Sequence, residues 1–167
     1  MHKMTEKTLQ EAFAGESQAN TKYQIYAEMA RDEGQHNIAR LFEAVAYAER
    51  VHARNHLRAL GKKMGAADNL QDAIDGENFE VQEMYQAYLA VAQLQEEKTA
   101  VTSHSYALEA EKIHAQKYAR ALKAVEEGKD IAMNDIYICP TCGYTVEDAA
   151  PERCPVCGVS GSKFHKF

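Results

Sequence analysis

Apolar residues recur every three or four positions along four stretches of the chain before Asp130. This period is typical of amphipathic helices, which bury one face and expose the other. The pattern predicts α-helices over residues 5–33, 36–60, 77–97 and 99–127. Glycine often follows the last residue of a helix because it adopts the left-handed conformation easily. Three of the predicted helices are followed or ended in this way, by Gly34, Gly61 and Gly128.

Residues 61–76 separate the second predicted helix from the third and contain three of the nine glycines of the chain. This composition predicts a connector, with a short helix near residues 70–74. A connector of this length need not join two adjacent antiparallel helices. It is long enough to cross over the end of a four-helix bundle.

The composition of the chain changes sharply near residue 130. The preceding part is rich in Ala, Glu, Lys, Gln and Leu, which favour helix, whereas all three prolines (Pro140, Pro151 and Pro155) follow this point. Residues 135–138 have the pattern of a short strand. We therefore expect a mainly α protein with two domains, over residues 1–130 and 131–167.

Two of the predicted helices carry the same pair of ionisable residues within an apolar stripe. The second helix has Glu49 and His52, and the fourth has Glu111 and His114. A spacing of three residues places both groups on one helix face, about one turn apart. Buried carboxylates and imidazoles are costly unless they are paired or bind a metal ion. Two such helices, with Glu residues from two further helices, form the ligand set of di-iron carboxylate bundles.

The first and third helices supply candidates for those further Glu residues. Glu16 falls on the apolar face of the first helix, although a solvent-exposed glutamate is the ordinary interpretation of such a position. The third helix carries Glu80 and Glu83. The interval along the chain from Glu16 to Glu49 is nearly the same as the interval from Glu80 to Glu111, so the four helices resemble a duplicated pair.

Each candidate glutamate is followed by a tyrosine about two helical turns later. Tyr23 lies seven residues after Glu16, and Tyr88 lies eight residues after Glu80. A tyrosine hydroxyl in such a place could donate a hydrogen bond to a ligand oxygen or to a bound substrate. Packing in the core, with a hydrogen bond elsewhere, is an equally good interpretation.

The four cysteines form two Cys-x-x-Cys pairs in the C-terminal segment, and each pair is followed by glycine. The pairs are Cys139 with Cys142 and Cys154 with Cys157. Such a knuckle lets backbone amides turn toward the sulfur atoms, and glycine permits the tight turn. Two knuckles predict a tetrahedral site for zinc or for a single iron. A segment this short needs such a metal to stay folded.

Charge and composition exclude several classes of function. The formal net charge of −6 disfavours a nucleic-acid-binding protein. No apolar run reaches membrane-spanning length, and the first residues lack the apolar core of a signal peptide. Cysteines spaced for a metal rather than for disulfides indicate a reducing compartment, so we expect a cytoplasmic protein. Without a glycine-rich nucleotide-binding motif, the chain should not itself bind a nucleotide cofactor.

The Glu-x-x-His pairs, the Glu80-x-x-Glu83 pair and the paired C-terminal cysteines together resemble the rubrerythrin family. The resemblance covers essentially the whole chain. It implies a ferritin-like four-helix bundle that holds two irons, followed by a small rubredoxin-like domain that holds one more.

The resemblance also implies a role for each ligand of the di-iron site. Glu49 and Glu111 match the bridging carboxylates. Glu16 matches a terminal ligand of the first iron, and Glu80 and His114 match terminal ligands of the second.

The remaining matched residues are two that exchange, two tyrosines and the cysteines. Glu83 and His52 match a pair that alternates at the first iron, where the Glu binds in the oxidised state and the His in the reduced state. Tyr23 and Tyr88 match tyrosines beside the di-iron site. The four cysteines match the ligands of the mononuclear iron.

The activity that the resemblance implies is the reduction of hydrogen peroxide to water, in defence against oxidative stress. Two ferrous ions supply the two electrons that cleavage of the O–O bond requires, and the sulfur-bound iron returns electrons one at a time. The electrons would come from NADH through rubredoxin or through a separate reductase. The alternative function is iron oxidation and storage. A third interpretation is a zinc-ribbon interaction module on a structural bundle.

The long connector permits the helix pair 5–60 to pack on residues 77–127 of its own chain or of a partner, as in some proteins of the family that the sequence resembles. The fourth helix should be about 40 Å long, with its Glu and His near the middle. The four-cysteine domain follows the end of this helix. We therefore expect a long route between the two iron sites of one chain, and a homodimer or larger assembly with electron transfer between chains.

Overall fold

The structure is a computed structural model that describes residues 1–61 and 65–167. It contains the helices α1 (Lys3–Asp32), α2 (His36–Ala59), α3 (Ala66–Phe79), α4 (Tyr85–Leu94) and α5 (Lys98–Glu126). A π-helical turn, Glu80–Met84, joins α3 to α4. The helices predicted over 5–33, 36–60 and 99–127 are confirmed. The glycines after them have positive φ angles, of 75° at Gly34 and 71° at Gly128.

The third predicted helix begins earlier than the sequence indicated. Its first helical residue is Ala66 rather than residue 77, so the prediction of a connector over 61–76 is wrong for the described residues from 66 onward. The Asp68 carboxylate accepts a hydrogen bond from the Gly65 backbone N–H and caps the helix start. Gly76 is tolerated inside the helix at a cost of about 1 kcal/mol. Residues 62–64 of the predicted connector lie outside the described residues.

The chain forms two compact units, Met1–Lys63 and Met64–Phe167. The first unit is a hairpin of α1 and α2. Small residues at the seam let the two helices approach closely, and the buried cluster consists of Ala27, Ala30 and Ala39 with Phe42 packed against it. The Asn20 side-chain amide donates a 2.7 Å hydrogen bond to the Ala46 carbonyl, which fixes the register of the pair.

The hairpin exposes much of its remaining apolar surface. Leu41 is 63% exposed, Met29 56% and Tyr47 66%. A pair of helices has only one seam, so apolar residues on its other faces need a further layer to cover them. The large apolar residues of the two described helices that share this exposure are Met4, Ile25, Tyr26, Met29, Ile38, Leu41, Val45 and Tyr47.

The second unit packs α3, the π turn and α4 along α5, and carries a small sheet after α5. The strands are β1 (Ile136–Ile138), β2 (Thr145–Glu147) and β3 (His165–Lys166), in the antiparallel order β2-β1-β3. Tyr137 of β1 pairs with Val146 on one side and Lys166 on the other. The predicted strand near 135–138 is confirmed. None of the helices in the described ranges is long and apolar enough to span a membrane.

One face of α5 binds the small domain, and we call it the docking stripe: Tyr106, Ala110, His114, Lys117 and Arg120. Tyr106 packs against the buried cysteines. A Cβ atom at Gly143 would lie 3.6 Å from the Ala110 Cβ, so the Cys142–Gly143 turn rests on the helix. Residues spaced three or four apart share one face of a helix, which explains the stripe.

The contact of the four-cysteine domain with the docking stripe bears on the expected long route between the two iron sites of one chain. His114 lies roughly three turns, or about 18 Å of helix, before the end of α5. The four-cysteine domain nevertheless contacts α5 at this level, because β2 packs on the helix and the Thr145 hydroxyl lies 2.8 Å from the His114 Nε2. The domain therefore lies alongside the middle of α5, and the premise for a long route within one chain is wrong.

Glu147 makes an ion-pair clamp between β2 and the docking stripe, which predicts an acid-sensitive contact. Arg120 and then Lys117, each 2.6 Å away, hold the pKa of Glu147 below its usual value. A pKa that is lower in the folded than in the unfolded state stabilises the fold at neutral pH, and this contribution is lost as the pH falls through the folded pKa. Glu147→Gln should therefore lower the free energy of unfolding at neutral pH by roughly 1.5–3 kcal/mol.

The measurement is urea unfolding of the Glu147→Gln and wild-type proteins at neutral and at acidic pH. The difference between them should shrink in acid. The control is Glu152→Gln, which changes an exposed glutamate of the same domain and should leave stability unchanged at both pH values. A Glu147→Gln deficit of the same size in acid would contradict the clamp.

Candidate metal centres

The four cysteines converge on one point of the C-terminal domain. Their sulfur atoms all lie within 4.8 Å of one another, and the Cys139–Cys157 and Cys142–Cys154 sulfur pairs are 3.5 Å apart. A disulfide would need about 2 Å, and all four thiols are free. Metal–sulfur bonds of about 2.3 Å in a tetrahedron place the sulfurs about 3.8 Å apart. The geometry therefore fits a single tetrahedral metal ion.

Each cysteine pair forms the predicted knuckle. Gly143 and Gly158 both have φ of 77°, and their N–H groups donate to the Cys139 and Cys154 carbonyls at 3.0 and 2.9 Å. Burial acts to raise the pKa of Cys154, yet the backbone N–H groups of Cys157 and Val156 lower it to about 7. Backbone donors of this kind favour the thiolate, which is the form that binds a metal.

Helices α1 and α2 bring together a first Glu–His group, made of Glu16, Glu49 and His52. The His52 Nδ1 lies 2.9 Å from a Glu49 carboxylate oxygen and 3.7 Å from Glu16. The glutamates are partly buried, whereas the His52 side chain is 52% exposed. All three residues were predicted as ligands from the sequence, and the hairpin brings them within reach of one ion.

Helices α3 and α5 bring together a second Glu–His group, made of Glu77, Glu111 and His114. The His114 Nδ1 lies 2.6 Å from a Glu111 oxygen and 4.0 Å from Glu77. Glu111 and His114 were predicted as ligands, but Glu77 was not. It lies three residues, about one helical turn, before Glu80.

The second Glu–His group concentrates negative charge in a partly buried place. Burial, then a shared hydrogen bond and the charge of Glu111, raise the pKa of Glu77 to about 8. Burial, followed by the charge of Glu111, also raises the pKa of Glu80. Carboxylates that raise one another's pKa gain most from a cation placed between them. This repulsion between neighbouring carboxylates is the observation that indicates a metal ion at the second Glu–His group.

The other predicted site residues lie in different surroundings. Glu83 is exposed on the π turn and belongs to none of the metal-binding groups formed by the described residues. Tyr23 packs against Phe42 across the hairpin, with ring centroids 6.0 Å apart. Tyr88 is 47% exposed and packs edge-on against Tyr85. The functional roles of Glu80, Glu83, Tyr23 and Tyr88 stay predictions.

Tyr85 is a further candidate, which the sequence pattern did not single out. Burial, followed by the charges of Glu80, Glu111 and Glu77, raises the pKa of Tyr85. Tyr85 therefore lies close enough to the second Glu–His group for the charges of that group to affect its phenol. Tyr85 is also less exposed than Tyr88. Its phenol could therefore donate the hydrogen bond to a ligand oxygen or a substrate that the sequence predicted for Tyr88.

The sequence did contain a signal for Glu77. Gly15-Glu16 in α1 is repeated as Gly76-Glu77, and the interval from Glu77 to Glu111 matches that from Glu16 to Glu49 to within one position. Tyr23 follows Glu16 by seven residues and Tyr85 follows Glu77 by eight. The π turn between Glu77 and Tyr85 takes one more residue per turn than an α-helix, which accounts for the difference.

The fold and the donor sets define a helical carboxylate–histidine metalloprotein with an attached four-cysteine domain. Comparison with known protein families agrees. The rubrerythrin family model matches residues 7–122, and a second model, the rubredoxin-like domain of rubrerythrin, matches residues 137–165.

Relatives of known family cover nearly the whole chain. Rubrerythrin-2 of Clostridium acetobutylicum is 44% identical, over 98% of this chain and 97% of its own. Nigerythrin of Nitratidesulfovibrio vulgaris is 34% identical, over 92% of this chain and 81% of its own. Among solved structures, fully reduced, all-ferrous nigerythrin has a TM-score of 0.57 at 30% identity, and covers 98% of this chain and 86% of that one.

The chain belongs to the rubrerythrin family. The predicted fold is confirmed as mainly α and ferritin-like, with a rubredoxin-like four-cysteine cluster at its C-terminal end. The donor sets match the predicted iron cofactors, because carboxylate and imidazole groups suit a di-iron site and four thiolates suit a single iron. Proteins of this family are oxidoreductases.

Proposed function

We propose that the protein is a non-haem di-iron peroxidase that reduces hydrogen peroxide to water and takes its electrons through the four-cysteine iron. The observation that carries this proposal is the shared helix α5. It bears Glu111 and His114 of the second Glu–His group, and its docking stripe binds the four-cysteine domain. A storage protein needs no such electron relay, so this contact favours the reductase.

We further propose a ligand set that differs at one helix from the set expected from the sequence. Glu16, Glu49 and His52 would act with Glu77, Glu111 and His114. Glu80 would be the exchanging carboxylate, in place of Glu83. Two observations support this choice: Glu80 lies one turn beyond Glu77 within the field of Glu111, whereas Glu83 is exposed.

The two histidines differ in a way that supports ligand exchange at His52. The His114 ring is 29% exposed and is held at both nitrogens, by Glu111 and by Thr145. The His52 ring is 52% exposed and contacts Glu49 and Glu16 through Nδ1. A more exposed ring has more freedom to approach or leave an ion, so His52 suits the exchanging position.

The residues of the chain would orient the reaction and supply protons to it. Bound iron supplies the electrons and the Lewis acidity for cleavage of the O–O bond. The phenols of Tyr23 and Tyr85 would donate hydrogen bonds near the carboxylates, and Tyr88 would support Tyr85 through its edge-on packing. Reduction of one peroxide consumes two electrons and two protons and yields two waters.

The partners would be hydrogen peroxide, a separate electron donor and a second copy of the chain. The donor would be rubredoxin or an NADH-dependent reductase, in a reducing cytoplasm that keeps the thiols free. The exposed apolar side chains of α1 and α2 favour a homodimer or larger assembly. Each compact unit bears one Glu–His group, so pairing of helix hairpins, within or between chains, would complete the di-iron site.

The first test of the relay is Cys142→Ser. Loss of one thiolate should bleach the visible iron–thiolate absorption and stop turnover driven by an external reductase. The chemically reduced protein should still consume one peroxide per di-iron site, because the Glu–His groups are untouched. Stopped-flow absorption and peroxide consumption provide the measurement. Sustained reductase-driven turnover in this variant would contradict the relay.

The assembly distinguishes the reductase from iron storage. We expect a native mass of a dimer or small oligomer, because the exposed hairpin face suits pairing with another hairpin. A hollow shell of many subunits that accumulates iron far beyond three atoms per chain would instead support storage. Native mass spectrometry of the iron-loaded protein, with iron counting, measures both.

The assignment of the exchanging carboxylate is tested by Glu80→Ala, with Glu83→Ala as its matched control. Both variants remove a carboxylate from the same π turn. Glu80→Ala should retain two di-iron-site irons when ferrous, lose affinity or change its spectrum when oxidised, and turn over peroxide more slowly. Glu83→Ala should be nearly silent, within about 0.5 kcal/mol of stability.

Iron content and absorption of both variants in both redox states provide the measurement. The reverse result, with a silent Glu80→Ala and an oxidised-state defect in Glu83→Ala, would restore Glu83 as the exchanging ligand. Identical effects of Glu80→Ala in the two redox states would eliminate exchange and leave the di-iron assignment standing.

A further inference from the structure

A buried threonine of the four-cysteine domain contacts the histidine of the second Glu–His group. The Thr145 hydroxyl oxygen lies 2.8 Å from the His114 Nε2 and 3.0 Å from the Gly143 carbonyl oxygen. Thr145 is only 5% exposed and is the one buried polar residue of the described chain. Its two contacts therefore account for its burial without solvent.

The direction of these hydrogen bonds follows from the atoms involved. A hydroxyl has one hydrogen, and the Gly143 carbonyl can only accept, so the Thr145 hydroxyl donates to Gly143. The same oxygen must then accept from His114, which requires an N–H at Nε2. A neutral imidazole has a single N–H, so Nδ1 is left with a lone pair. That lone pair faces the Glu111 and Glu77 carboxylates.

With its N–H at Nε2, the neutral His114 ring presents Nδ1 as a metal-binding atom on its inner side. A bare Nδ1 at 2.6 Å from a carboxylate oxygen is repulsive, because both atoms present lone pairs. A proton shared between the two atoms, or a metal ion that replaces that proton, removes the repulsion. In the described part of the chain, no comparable hydroxyl contacts His52. The hydrogen bond with a threonine is therefore specific to the second Glu–His group.

We propose that Thr145 is a positioning residue that holds His114 in the metal-binding tautomer, so that a hydroxyl of the four-cysteine domain increases iron retention on α5. This inference rests on the proposed di-iron site. Gly143 directly follows the ligand Cys142, so one hydroxyl joins the backbone of one metal site to a ligand of the other. Outer hydrogen bonds of this kind typically change metal affinity by about 10- to 100-fold.

The test is iron retention by the full-length, iron-loaded ferrous protein during anaerobic dialysis against a chelator. Thr145→Val preserves the shape of the side chain and removes the hydroxyl, and it should release iron from the Glu–His site about tenfold more readily or worse. Thr145→Ser keeps the hydroxyl and should retain iron as the wild type does. The visible iron–thiolate absorption reports that the four-cysteine domain is folded in each variant.

The control for general loosening of the domain is Lys117→Met, which removes one docking ion pair but leaves Thr145 and His114 in place. This variant should retain iron within about twofold of the wild type, well below the change expected from losing the outer hydrogen bond. Equal iron loss in Lys117→Met and Thr145→Val, or wild-type retention in Thr145→Val, would overturn the proposal. If Thr145→Val bleaches the iron–thiolate colour, Thr145→Ala, which admits a water, is compared with Thr145→Ser by the same criteria.

Peroxide turnover separates this inference from the proposed function. A wild-type protein that holds the Glu–His irons but reduces no peroxide would refute the peroxidase and still allow the Thr145 comparison. A wild-type protein that holds no iron beyond its sulfur-bound atom would refute both.

Discussion

Carboxylate and imidazole groups that face one another on packed helices repel one another unless a proton or a metal ion lies between them, and the site depends on this constraint. Burial and the charge of Glu111 raise the pKa of Glu77 and of Glu80, and His114 directs a nitrogen at the same point. Apolar residues in place of these glutamates would relieve the repulsion between the carboxylates, but they could not bind a metal ion. The helices instead provide the apolar seams that hold the groups in place, and a cation offsets the charge. Helix stability and metal binding are therefore coupled in this chain.

The helix α5 connects the two kinds of metal site because different faces of it meet different partners. The face with Glu111 meets α3, and the docking stripe meets the cysteine knuckles. His114 stands on the border between these faces and takes part in both, through its two ring nitrogens. A single helix is more rigid than a loop, so it holds two reactive centres at a more constant distance from each other.

The sequence predicted those parts of the fold and site that depend on local pattern. Helical periodicity and terminal glycines located three helices, and the cysteine spacing located the knuckles. The Glu-x-x-His spacing identified two ligand pairs because both members lie on one helix. What could not be predicted depended on contacts between distant segments, such as the return of the small domain onto α5 and the contact of Thr145 with His114.

The error at the third helix has a local cause. Gly76 ends the predicted connector, and a helix that begins after it pairs Glu80 rather than Glu77 with Glu16 in the repeat. The helix in fact runs through this glycine from Ala66, and Glu77 occupies the inner face. The ordinary helical period also fails across a π turn, which shifts every later side chain relative to an α-helical projection. Tyr88 follows Glu80 by the same eight residues by which Tyr85 follows Glu77, so an alignment on Glu77 selects Tyr85 instead of Tyr88.

The π turn between Glu80 and Met84 bears on how the two halves of the duplication have diverged. One inserted residue in a regular α-helix would rotate every downstream side chain by about 100° and expose the buried face of α4. Confined to a single wide turn, the insertion leaves the later residues in phase with the core. The wide turn is thus the place where one half of the apparent duplication could gain a residue without losing its packing. Because this turn lies next to the carboxylates, a change in the spacing of its residues would affect metal binding more than the stability of the helix.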